Sequence, residues 1–405
     1  MENKMSEEMK IVLGITGSIA VYKSCELIRL FRKEGITVIP VMTPDSKRFI
    51  SPLLLESLAQ NKVYSDMFDE SGGTFYHIML SRGANLILIA PATANTISKI
   101  ASGMADNLLT SAVLASDCPV LIAPAMNVKM FENPLTQQNI KKLTEIKRFS
   151  FVMPESGELA CGDTGTGRLA DVQDIFDESM QYLTGDRILK GKKVLVSAGP
   201  TQEYMDAVRF LSNPSSGRMG YEIARTAKWL GAEVTLVTGP VSLRPPYGVK
   251  VIKVVSAEDM KNAVLKETGK YDLLIMNAAV SDWRFDKRRK QKIKRNGSDI
   301  NIVLRENPDI LSLASKSGKF RYIVGFAAES ENMTENALIK MKKKDIDAIV
   351  VNDISRSDIG FGQESNEGRI IFGDGTMKDI ERVSKRVMAF IILREIAKRL
   401  KWVKT

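Results

Sequence analysis

The sequence predicts an α/β protein in which two halves of similar architecture follow each other along the chain. The chain has 405 residues, and at roughly 100–200 residues per domain this length predicts two or three domains. The predicted strands are continuous apolar runs that alternate with helices, a pattern typical of parallel sheets covered by helices on both faces. The pattern stops at Thr184–Arg187 and starts again at Lys192. We therefore predict domains over residues 1–187 and 188–405.

The first half begins with an apolar strand at residues 10–16, and a Gly-Ser turn leads from it into a helix. Gly35 closes that helix before the second strand, and a Gly-rich stretch at 157–167 precedes the last helix. The other predicted elements of this half are strands at 36–42, 85–90 and 119–123, and helices at 20–33, 52–60, 95–116, 135–146 and 172–183.

The second half begins with a new strand at 193–197, and a long turn at 198–216 leads into a helix that Gly231 closes. No residue-level repeat relates the two halves. The remaining predicted elements are strands at 233–237, 249–255, 272–277, 300–304, 322–326 and 348–351, and helices at 217–230 and 383–400.

Composition excludes several classes of protein. Hydrophobic residues make up 44% and charged residues 26%, which argues against a disordered chain. No apolar run approaches the length of about 20 residues that spans a bilayer, so we expect no membrane partner. Residues 1–9 carry charges of both signs without an apolar core and do not resemble a secretory signal. Cys25, Cys118 and Cys161 are too few and too scattered for a disulfide framework or a zinc site, so we expect a cytoplasmic protein.

The charge balance and the single histidine restrict the chemistry. Lys and Arg exceed Asp and Glu by 58 − 48 = 10, which permits a polyanionic partner and equally fits nucleotides or phosphate esters. His77 is the one histidine of the chain. Any step that needs an imidazole near neutral pH must therefore use it.

The turn Thr16–Ala20 follows the first strand and opens the first helix, where backbone N–H groups and the helix dipole favour an anion. Gly17 lets a phosphate approach closely. The dinucleotide pattern G-x-G-x-x-G is missing, so one phosphate is favoured over two, as in the mononucleotide FMN. The alternative is a plain helix cap.

Three more stretches lie at predicted carboxyl ends of strands, where ligands of open α/β sheets bind. They are Thr43, Ala90–Thr96 and Ala123–Asn127. Their Asn and Thr side chains can hydrogen-bond a flavin ring or a carboxylate, although Asn95 and Asn127 can also simply cap the helices that follow. Cys161 lies in the Gly-rich stretch, which suggests a mobile loop that carries a thiol.

At this point a family resemblance emerges. Five stretches resemble those of the FMN-dependent cysteine decarboxylases: Phe75–Leu80, Ala90–Thr96, Gly103–Leu108, Pro124–Met130 and Ala160–Asp163. Together with its C-terminal half, the chain resembles the bifunctional phosphopantothenoylcysteine decarboxylase/phosphopantothenate–cysteine ligases of coenzyme A biosynthesis. The match covers nearly everything after residue 9. The resemblance implies two Rossmann-like domains: an N-terminal flavodoxin-like FMN domain (HFCD flavoprotein type) and a C-terminal Rossmann-like nucleotide-binding ligase domain.

For the first half, the resemblance implies that FMN accepts a hydride from the cysteinyl Cβ and returns it after CO₂ has left. His77 matches the family's catalytic base, Asn127 the residue that holds the substrate carboxylate, and Cys161 the proton donor. The implied FMN contacts are Gly17, Ser18, Ile19, Thr43, Thr93, Ala94, Asn95, Thr96 and Ala125.

The second half contains a basic segment, Lys287–Arg295, with seven basic residues among nine. Such a run is usually a solvated or nucleic-acid-binding surface. Here it follows Met276–Arg284, a strand end that leads into a loop containing Asp282. An acidic residue beside several lysines fits a nucleoside triphosphate with Mg²⁺, so we expect no nucleic-acid partner.

In the ligase half, the resemblance implies that Lys292 is the catalytic lysine and that Arg209 and Asn213 handle an acyl-cytidylate. Asp282 matches a nucleotide contact and the partner of Mg²⁺ or Mn²⁺. Phe326 and Lys340 fit core and helix surface equally well. The implied CTP-binding positions are Met276, Asn277, Ala278, Asp282, Lys292, Pro308, Asp309, Ile310, Leu311, Phe326, Lys340 and Lys344.

The family also implies an assembly: trimers of the decarboxylase half and dimers of the ligase half, which a homo-dodecamer satisfies together. Two other functions stay open at this stage. One is a non-catalytic regulatory flavoprotein, which the presence of His77 and Cys161 disfavours. The other is an NAD(P)-linked oxidoreductase, because Val194–Gly199 loosely resembles a dinucleotide-binding start. The missing G-x-G-x-x-G and the lysine-rich segment argue against it.

Overall fold

The computed structural model describes residues 9–68, 75–158, 164–185, 187–266, 271–294, 299–329, 333–353 and 365–403. The chain divides into two compact units, residues 1–185 and 186–405. Among the described residues, no helix combines the length and the apolar character needed to cross a membrane.

The first unit is built on a sheet of five parallel strands with the spatial order β2-β1-β3-β4-β5. This is the flavodoxin-like order, in which the winding direction reverses between β1 and β3. The strands are Ile- and Val-rich because both faces of the sheet are covered. Their bounds are β1 Lys10–Ile15, β2 Thr37–Met42, β3 Leu86–Ala92, β4 Val120–Pro124 and β5 Phe149–Phe151.

Helices cover the two faces of this sheet, and an antiparallel hairpin of two further strands follows β5. The strand side chains Val12, Ile87, Ile89 and Ile122 are fully buried in one apolar core. The remaining elements are the 3₁₀ turns Ile19–Tyr22 and Pro44–Arg48, the hairpin strands β6 Glu155–Glu158 and β7 Thr164–Arg168, and the helices α1 Lys23–Lys33, α2 Pro52–Ala59, α3 Tyr76–Gly83, α4 Ala94–Ser102, α5 Leu108–Ala115, α6 Val128–Glu132, α7 Pro134–Thr144 and α8 Val172–Leu183.

The second unit contains an eight-stranded sheet with the order β12-β11-β8-β13-β16-β17-β18-β19. Its first six strands in this order are parallel, and they follow the 3-2-1-4-5-6 arrangement of the Rossmann fold, which reverses direction between β8 and β13. An antiparallel hairpin, β18–β19, extends one edge. The bounds are β8 Lys193–Ala198, β11 Glu233–Thr238, β12 Lys250–Lys253, β13 Leu273–Met276, β16 Ile323–Glu329, β17 Ala348–Asp353, β18 Ser365–Phe372 and β19 Met377–Ser384.

One face of this sheet is covered by the first and last helices of the unit, and the other face by the three helices between them. Two short antiparallel pairs lie outside the main sheet. These pairs are β9 Gln202–Tyr204 with β10 Phe210–Ser212, and β14 Trp283–Phe285 with β15 Leu304–Glu306; the helices are α9 Arg218–Trp229, α10 Ala257–Lys266, α11 Ile310–Lys316, α12 Met333–Lys344 and α13 Lys385–Arg399.

The predicted fold class is confirmed, but two predicted elements were wrong. The single helix expected at 95–116 is two helices, because Gly103 ends α4 in a left-handed conformation (φ +71°) and Asn107 caps α5. The strand expected at 300–304 does not join the main sheet; the only strand there is the exposed β15, which pairs with β14. The hairpin β18–β19 was missed because most of its side chains are polar and partly exposed.

Ile392 in α13 tests the packing of the second unit, because its side chain is fully buried against the sheet. We expect Ile392→Ala to lower the free energy of unfolding of this unit by about 2–5 kcal/mol, since it leaves a cavity. Ile339→Ala is the matched control, because Ile339 in α12 is 58% exposed, and it should change that energy by about 0.5 kcal/mol. The three tryptophans, Trp229, Trp283 and Trp402, all lie in this unit. Denaturant unfolding followed by tryptophan fluorescence therefore measures it directly.

Candidate active sites

In the first unit, a buried hydroxyl ties together the ends of the two strands at the reversal of winding. Thr16 follows β1 and is 1% exposed. Its Oγ1 donates to the carbonyl oxygen of Pro91 at 2.8 Å and accepts the N–H of Thr93 at 3.0 Å. The loops after β1 and β3 are thereby held side by side at the position where open α/β sheets bind ligands.

Two helical segments begin at these loops. Ser18 caps the 3₁₀ turn by accepting the N–H of Ala20, and Thr93 caps α4 by accepting the N–H of Thr96. Unpaired N–H groups at such starts form a site for an anion. Gly17 lies in the loop after β1, and a Cβ built on it would be 2.6 Å from the Cβ of Asp45, which follows β2. Any larger residue would therefore displace the turn Pro44–Arg48.

A cavity of about 130 Å³ opens between these loops. Five of the predicted FMN positions line it: Gly17, Thr43, Thr93, Asn95 and Thr96. Ser18, Ile19 and Ala94 are their chain neighbours, and Ala125 follows β4, where its N–H donates to the carbonyl oxygen of Ala92 at 2.9 Å. The sequence had assigned no role to the other lining residues, which are Pro44, Asp45, Lys99, Asp106 and Asn107.

The cavity wall has an ion pair. The Lys99 ammonium lies 2.5 Å from Asp106 Oδ2, and this hydrogen bond lowers the pKa of the Asp106 carboxyl. Both residues lie in the stretch Lys99–Asn107, which joins the end of α4 to the start of α5. The family motif Gly103–Leu108 covers the second part of this segment. That motif was the feature of the sequence from which a role for this segment could have been predicted.

His77 lies in α3, which packs against α5, the helix whose cap Asn107 lines the cavity. The imidazole is partly buried. Its Nδ1 atom is buried and has no hydrogen-bond partner among the described residues. A buried polar atom without a partner is uncommon, which suggests that a group outside these residues forms a hydrogen bond with it. His77 is not among the residues that line the cavity.

The loop after β4 carries Asn127, whose Oδ1 accepts the N–H of Lys129 at 2.8 Å and so caps α6. This is the capping role that the sequence had left as an alternative. The hairpin strand β7 lies directly on this loop, because the Met126 N–H donates to the carbonyl oxygen of Gly167 at 3.0 Å. A Cβ on Gly167 would be 2.4 Å from the Met126 carbonyl oxygen. Cys161 lies outside the described residues.

In the second unit, a hydroxyl again joins the strand ends at the reversal of winding. Ser197, at the end of β8, is fully buried, and its Oγ accepts the N–H of Ala278 at 3.1 Å. The Asn277 N–H donates to the Ser197 carbonyl oxygen at 3.3 Å. Gly199 and Gly217 both have φ +74°, and a Cβ on Gly217 would touch the Gly199 backbone at 3.3 Å. The start of α9 therefore lies against the loop after β8.

A chain of hydrogen bonds joins several predicted ligase residues. The Asn213 Nδ2 group donates to the carbonyl oxygens of Ala279 at 3.3 Å and Val280 at 3.1 Å. Asn307 then links the loop after β13 to α11, because its Nδ2 donates to the Ser281 carbonyl oxygen and its N–H to that of Asp282, both at 2.8 Å. Asn213 and Asp282 thus lie on one connected set of loops.

The same set of loops continues to α11 and α12. Asp309 follows Pro308 and caps α11, and its Oδ1 lies 3.3 Å from the Lys344 ammonium. Burial of Asp309 opposes ionisation, but hydrogen bonds from Ser312 and the Lys344 charge hold the pKa of this carboxyl below its ordinary value. Two predicted CTP-binding positions on different helices are therefore paired.

Of the other predicted CTP-binding positions, four lie in or against the apolar cores and one lies on the surface of α12. Met276 and Ile310 are 8% and 3% exposed, so a ligand here would meet their backbone. Leu311 and Phe326 pack against the two apolar cores. Lys340 is exposed on α12.

The basic segment is anchored by a carboxylate that the sequence had not singled out. Asp206 is fully buried. Its Oδ2 accepts the Arg209 guanidinium at 2.7 Å and the N–H of Ile293, the neighbour of Lys292, at 3.1 Å. The spacing of an aspartate three residues before an arginine was the available signal. Lys292 itself is exposed, and Arg295 lies outside the described residues.

Metal binding at Asp282 would depend on the phosphates of a bound nucleotide. Among the residues that the structure describes, no group of three or more His, Cys, Asp or Glu side chains is arranged to hold a metal ion. Asp282 is exposed. Because Mg²⁺ in nucleotide sites takes most of its ligands from phosphates and water, one carboxylate fits such a site but does not build it alone.

Comparisons with known proteins agree with the two-part architecture. Residues 1–184 match the family described as Flavoprotein, and residues 189–400 match the DNA/pantothenate metabolism flavoprotein C-terminal domain. The Coenzyme A biosynthesis bifunctional protein CoaBC of Bacillus subtilis (strain 168) is 40% identical over 397 residues, which cover 97% of this chain and 98% of the relative. The protein of the same name from Escherichia coli (strain K12) is 38% identical over 395 residues, or 96% and 97% of the two chains.

Among solved structures, the C-terminal domain of a Coenzyme A biosynthesis bifunctional protein CoaBC is 36% identical. It covers 53% of this chain and 98% of its own, with a TM-score of 0.46.

Two doubly wound units in tandem, with polar loops gathered where the winding reverses, define a two-site enzyme whose first unit is a flavoprotein. More particularly, the chain belongs to the family of bifunctional coenzyme A biosynthesis proteins. It is a phosphopantothenoylcysteine decarboxylase and a phosphopantothenate–cysteine ligase. The resemblance inferred from the sequence motifs is confirmed, and the regulatory flavoprotein and the NAD(P)-linked oxidoreductase are disfavoured.

The buried Asp206 carboxylate makes a testable contribution to stability. Hydrogen bonds hold its pKa far below the ordinary range. The largest effect comes from the Arg209 N–H, and smaller ones come from the Val208 and Ile293 N–H groups and the Arg209 guanidinium. A carboxyl with a lowered folded-state pKa stabilises the fold fully above its unfolded pKa of about 3.9, and this stabilisation is lost as the pH falls through the folded value.

We therefore expect Asp206→Asn to be less stable than the wild type by a constant amount from pH 7 to about pH 5. Below about pH 4 the difference should shrink, because the carboxyl of the unfolded wild-type chain takes up a proton while that of the folded chain is still ionised. Tryptophan-detected unfolding of both proteins across this pH range measures the difference. A difference that grows with acidification would contradict the assignment.

Proposed function

We propose that the cavity between the loops after β1, β2 and β3 binds FMN. The observation that carries this proposal is the pair of capped helix starts beside Gly17, where N–H groups suit a single phosphate. The small residue Gly17 beside the cavity and the missing G-x-G-x-x-G pattern in the sequence fit a mononucleotide. The same nine residues named from the sequence are proposed as contacts: Gly17, Ser18, Ile19, Thr43, Thr93, Ala94, Asn95, Thr96 and Ala125.

FMN supplies a reversible hydride acceptor to this unit. The chain's own groups then have separate tasks in decarboxylation. His77 is proposed as the base that takes the substrate proton, in keeping with its buried Nδ1 atom, which has no hydrogen-bond partner within the described part of the chain. Asn127 is proposed to orient the substrate carboxylate from the loop after β4. Cys161 is proposed to return a proton to the product, on the basis of the family resemblance.

We expect His77→Asn to retain FMN and to lose CO₂ release, because asparagine cannot accept a proton near neutral pH. The flavin should stay bound because His77 is not among the residues that line the cavity. The visible spectrum measures flavin content, and labelled CO₂ measures decarboxylation. Ligase activity of the same sample is the control and should be near normal. Wild-type CO₂ release would place the base elsewhere.

We propose that the second unit activates 4′-phosphopantothenate with CTP through an acyl-cytidylate and then transfers the acyl group to cysteine. The supporting observation is the connected set of loops that joins Asn213, Asp282 and the Asp309–Lys344 pair at the end of the sheet where nucleotides bind in Rossmann folds. The basic segment provides cations for the triphosphate, as this chemistry requires.

Within this site, Lys292 is proposed to contact the phosphates as the carboxylate attacks. Arg209 and Asn213 are proposed to hold the acyl-cytidylate for cysteine. Asp282 is proposed as the protein contact of Mg²⁺ or Mn²⁺, with the phosphates as the other ligands. The remaining contacts with CTP are proposed at Met276–Ala278, Pro308–Leu311, Phe326, Lys340 and Lys344.

Lys292→Gln should nearly stop acyl-nucleotide formation. Loss of one such contact to a charged transition state typically costs about 2.7–4 kcal/mol, or roughly 10²–10³ in rate. Pyrophosphate release from CTP and 4′-phosphopantothenate, without cysteine, measures the step. Lys287→Gln is the matched control, because Lys287 is also exposed and belongs to the same basic segment. Small, equal effects at both positions would make this segment a solvated charge run instead.

We also propose that the functional boundary lies between residues 187 and 188 and that twelve copies of the chain assemble. The boundary rests on the interruption of the sequence pattern at Thr184–Arg187. The assembly rests on the trimeric and dimeric symmetries that the family resemblance implies for the two halves.

A further inference from the structure

The carboxylate of Asp206 carries more hydrogen bonds than a local turn requires. Oδ1 accepts the backbone N–H groups of Val208 at 2.7 Å and Arg209 at 2.8 Å. Oδ2 accepts the Arg209 guanidinium at 2.7 Å and the Ile293 N–H at 3.1 Å. The first oxygen therefore builds the turn, and the second connects this turn to a segment 87 residues further along the chain.

The distant donor is the peptide group between Lys292 and Ile293. The Arg209 guanidinium also donates to the Ile293 carbonyl oxygen at 3.2 Å. Both peptide groups that flank Ile293 are thus held by the Asp206–Arg209 pair. The carboxylate of this link is buried, whereas the Arg209 side chain is 40% exposed. Hydrogen bonds between two charged groups are stronger than neutral ones and restrict geometry closely.

Two more contacts fasten the same segment nearby. The Arg289 N–H donates to the Met205 carbonyl oxygen at 2.9 Å. The Arg288 guanidinium lies over the Tyr204 ring, 5.0 Å from its centroid. Like charges within the basic segment repel each other, so without such anchors its lysines would spread apart. The anchors direct it back onto residues 204–209.

We propose that Asp206 is a positioning residue of the ligase reaction, which holds Lys292 and Arg209 at fixed places relative to the acyl-nucleotide. This inference rests on the proposed role of Lys292. The lysine side chain is long and exposed, so the position of its ammonium depends on where its backbone is fixed. A displacement of about 1 Å of a catalytic group can cost about 10²-fold in rate.

Asp206→Asn separates the two tasks of this side chain. Its remaining oxygen can keep the two N–H groups of the turn, as asparagine does in such turns. Its NH₂ group would then face the Ile293 N–H and the Arg209 guanidinium, which are donors only. The substitution therefore breaks the connection to the Lys292 segment while it retains the local turn.

We expect Asp206→Asn to lower kcat for pyrophosphate release by about 10–100-fold. Asp374→Asn is the matched control, because Asp374 also accepts a turn N–H and an arginine, from Thr376 and Arg399, but lies in the turn between β18 and β19. It should change kcat by less than about twofold. A wild-type kcat for Asp206→Asn would overturn the inference.

The double variant Asp206→Asn/Lys292→Gln distinguishes positioning from lost stability. If Asp206 acts by placing Lys292, the Asp206 substitution should change the rate of Lys292→Gln by less than about threefold, because there is no ammonium left to misplace. A reduction by the same factor in both backgrounds would show an independent or purely structural effect and overturn the inference. A wild-type rate for Lys292→Gln alone would refute the proposed role of Lys292, and the inference with it.

Discussion

Both units depend on one constraint: neighbouring parallel strands must end together, with their backbone groups satisfied, where the winding of the sheet reverses. Each unit meets it with a buried hydroxyl at the end of its first strand. Thr16 accepts the N–H of Thr93, and Ser197 accepts the N–H of Ala278. Beyond the last rung of a sheet such N–H groups have no strand partner, and leaving them unpaired in the interior would cost free energy. The hydroxyl holds the two loops close together, so their side chains face one ligand.

The two units differ more in the charged groups of their candidate sites than in their folds. The first unit offers an anion mainly backbone N–H groups and helix starts, beside the ion pair of Lys99 and Asp106. The second unit offers full positive charges, and it controls them with carboxylates: Asp206 for the basic segment and Asp309 for Lys344. A triphosphate likewise carries more negative charge than a monoester phosphate. The distribution of charge within the +10 chain therefore fits the two proposed ligands separately.

Much of the fold was predictable because buried parallel strands leave continuous apolar runs, such as residues 194–196 and 273–276. The pairs β14–β15 and β18–β19 were not predictable, because strands with many polar, partly exposed residues owe their pairing to neighbours rather than to an apolar period. For the sites, glycines and strand ends located the loops after β1 and β3. Asp206 escaped because one aspartate in a turn looks the same whether its second oxygen faces water or a segment 87 residues away.

The hairpin β6–β7 docks on the loop of Asn127 through two glycines of β7, at positions that leave no room for a side chain. Gly165 and Gly167 lie so close to residues 126–128 that a Cβ on either would overlap them, while Thr166 turns its hydroxyl toward Ser156 on the partner strand. The two glycines that attach the hairpin and the residue that carries a hydroxyl therefore occupy different positions. Substitution at the two glycines would detach the hairpin, whatever side chain replaced them. Thr166, between the two glycines, bonds to the partner strand and not to this loop, so its side chain can vary among related enzymes while the hairpin stays attached.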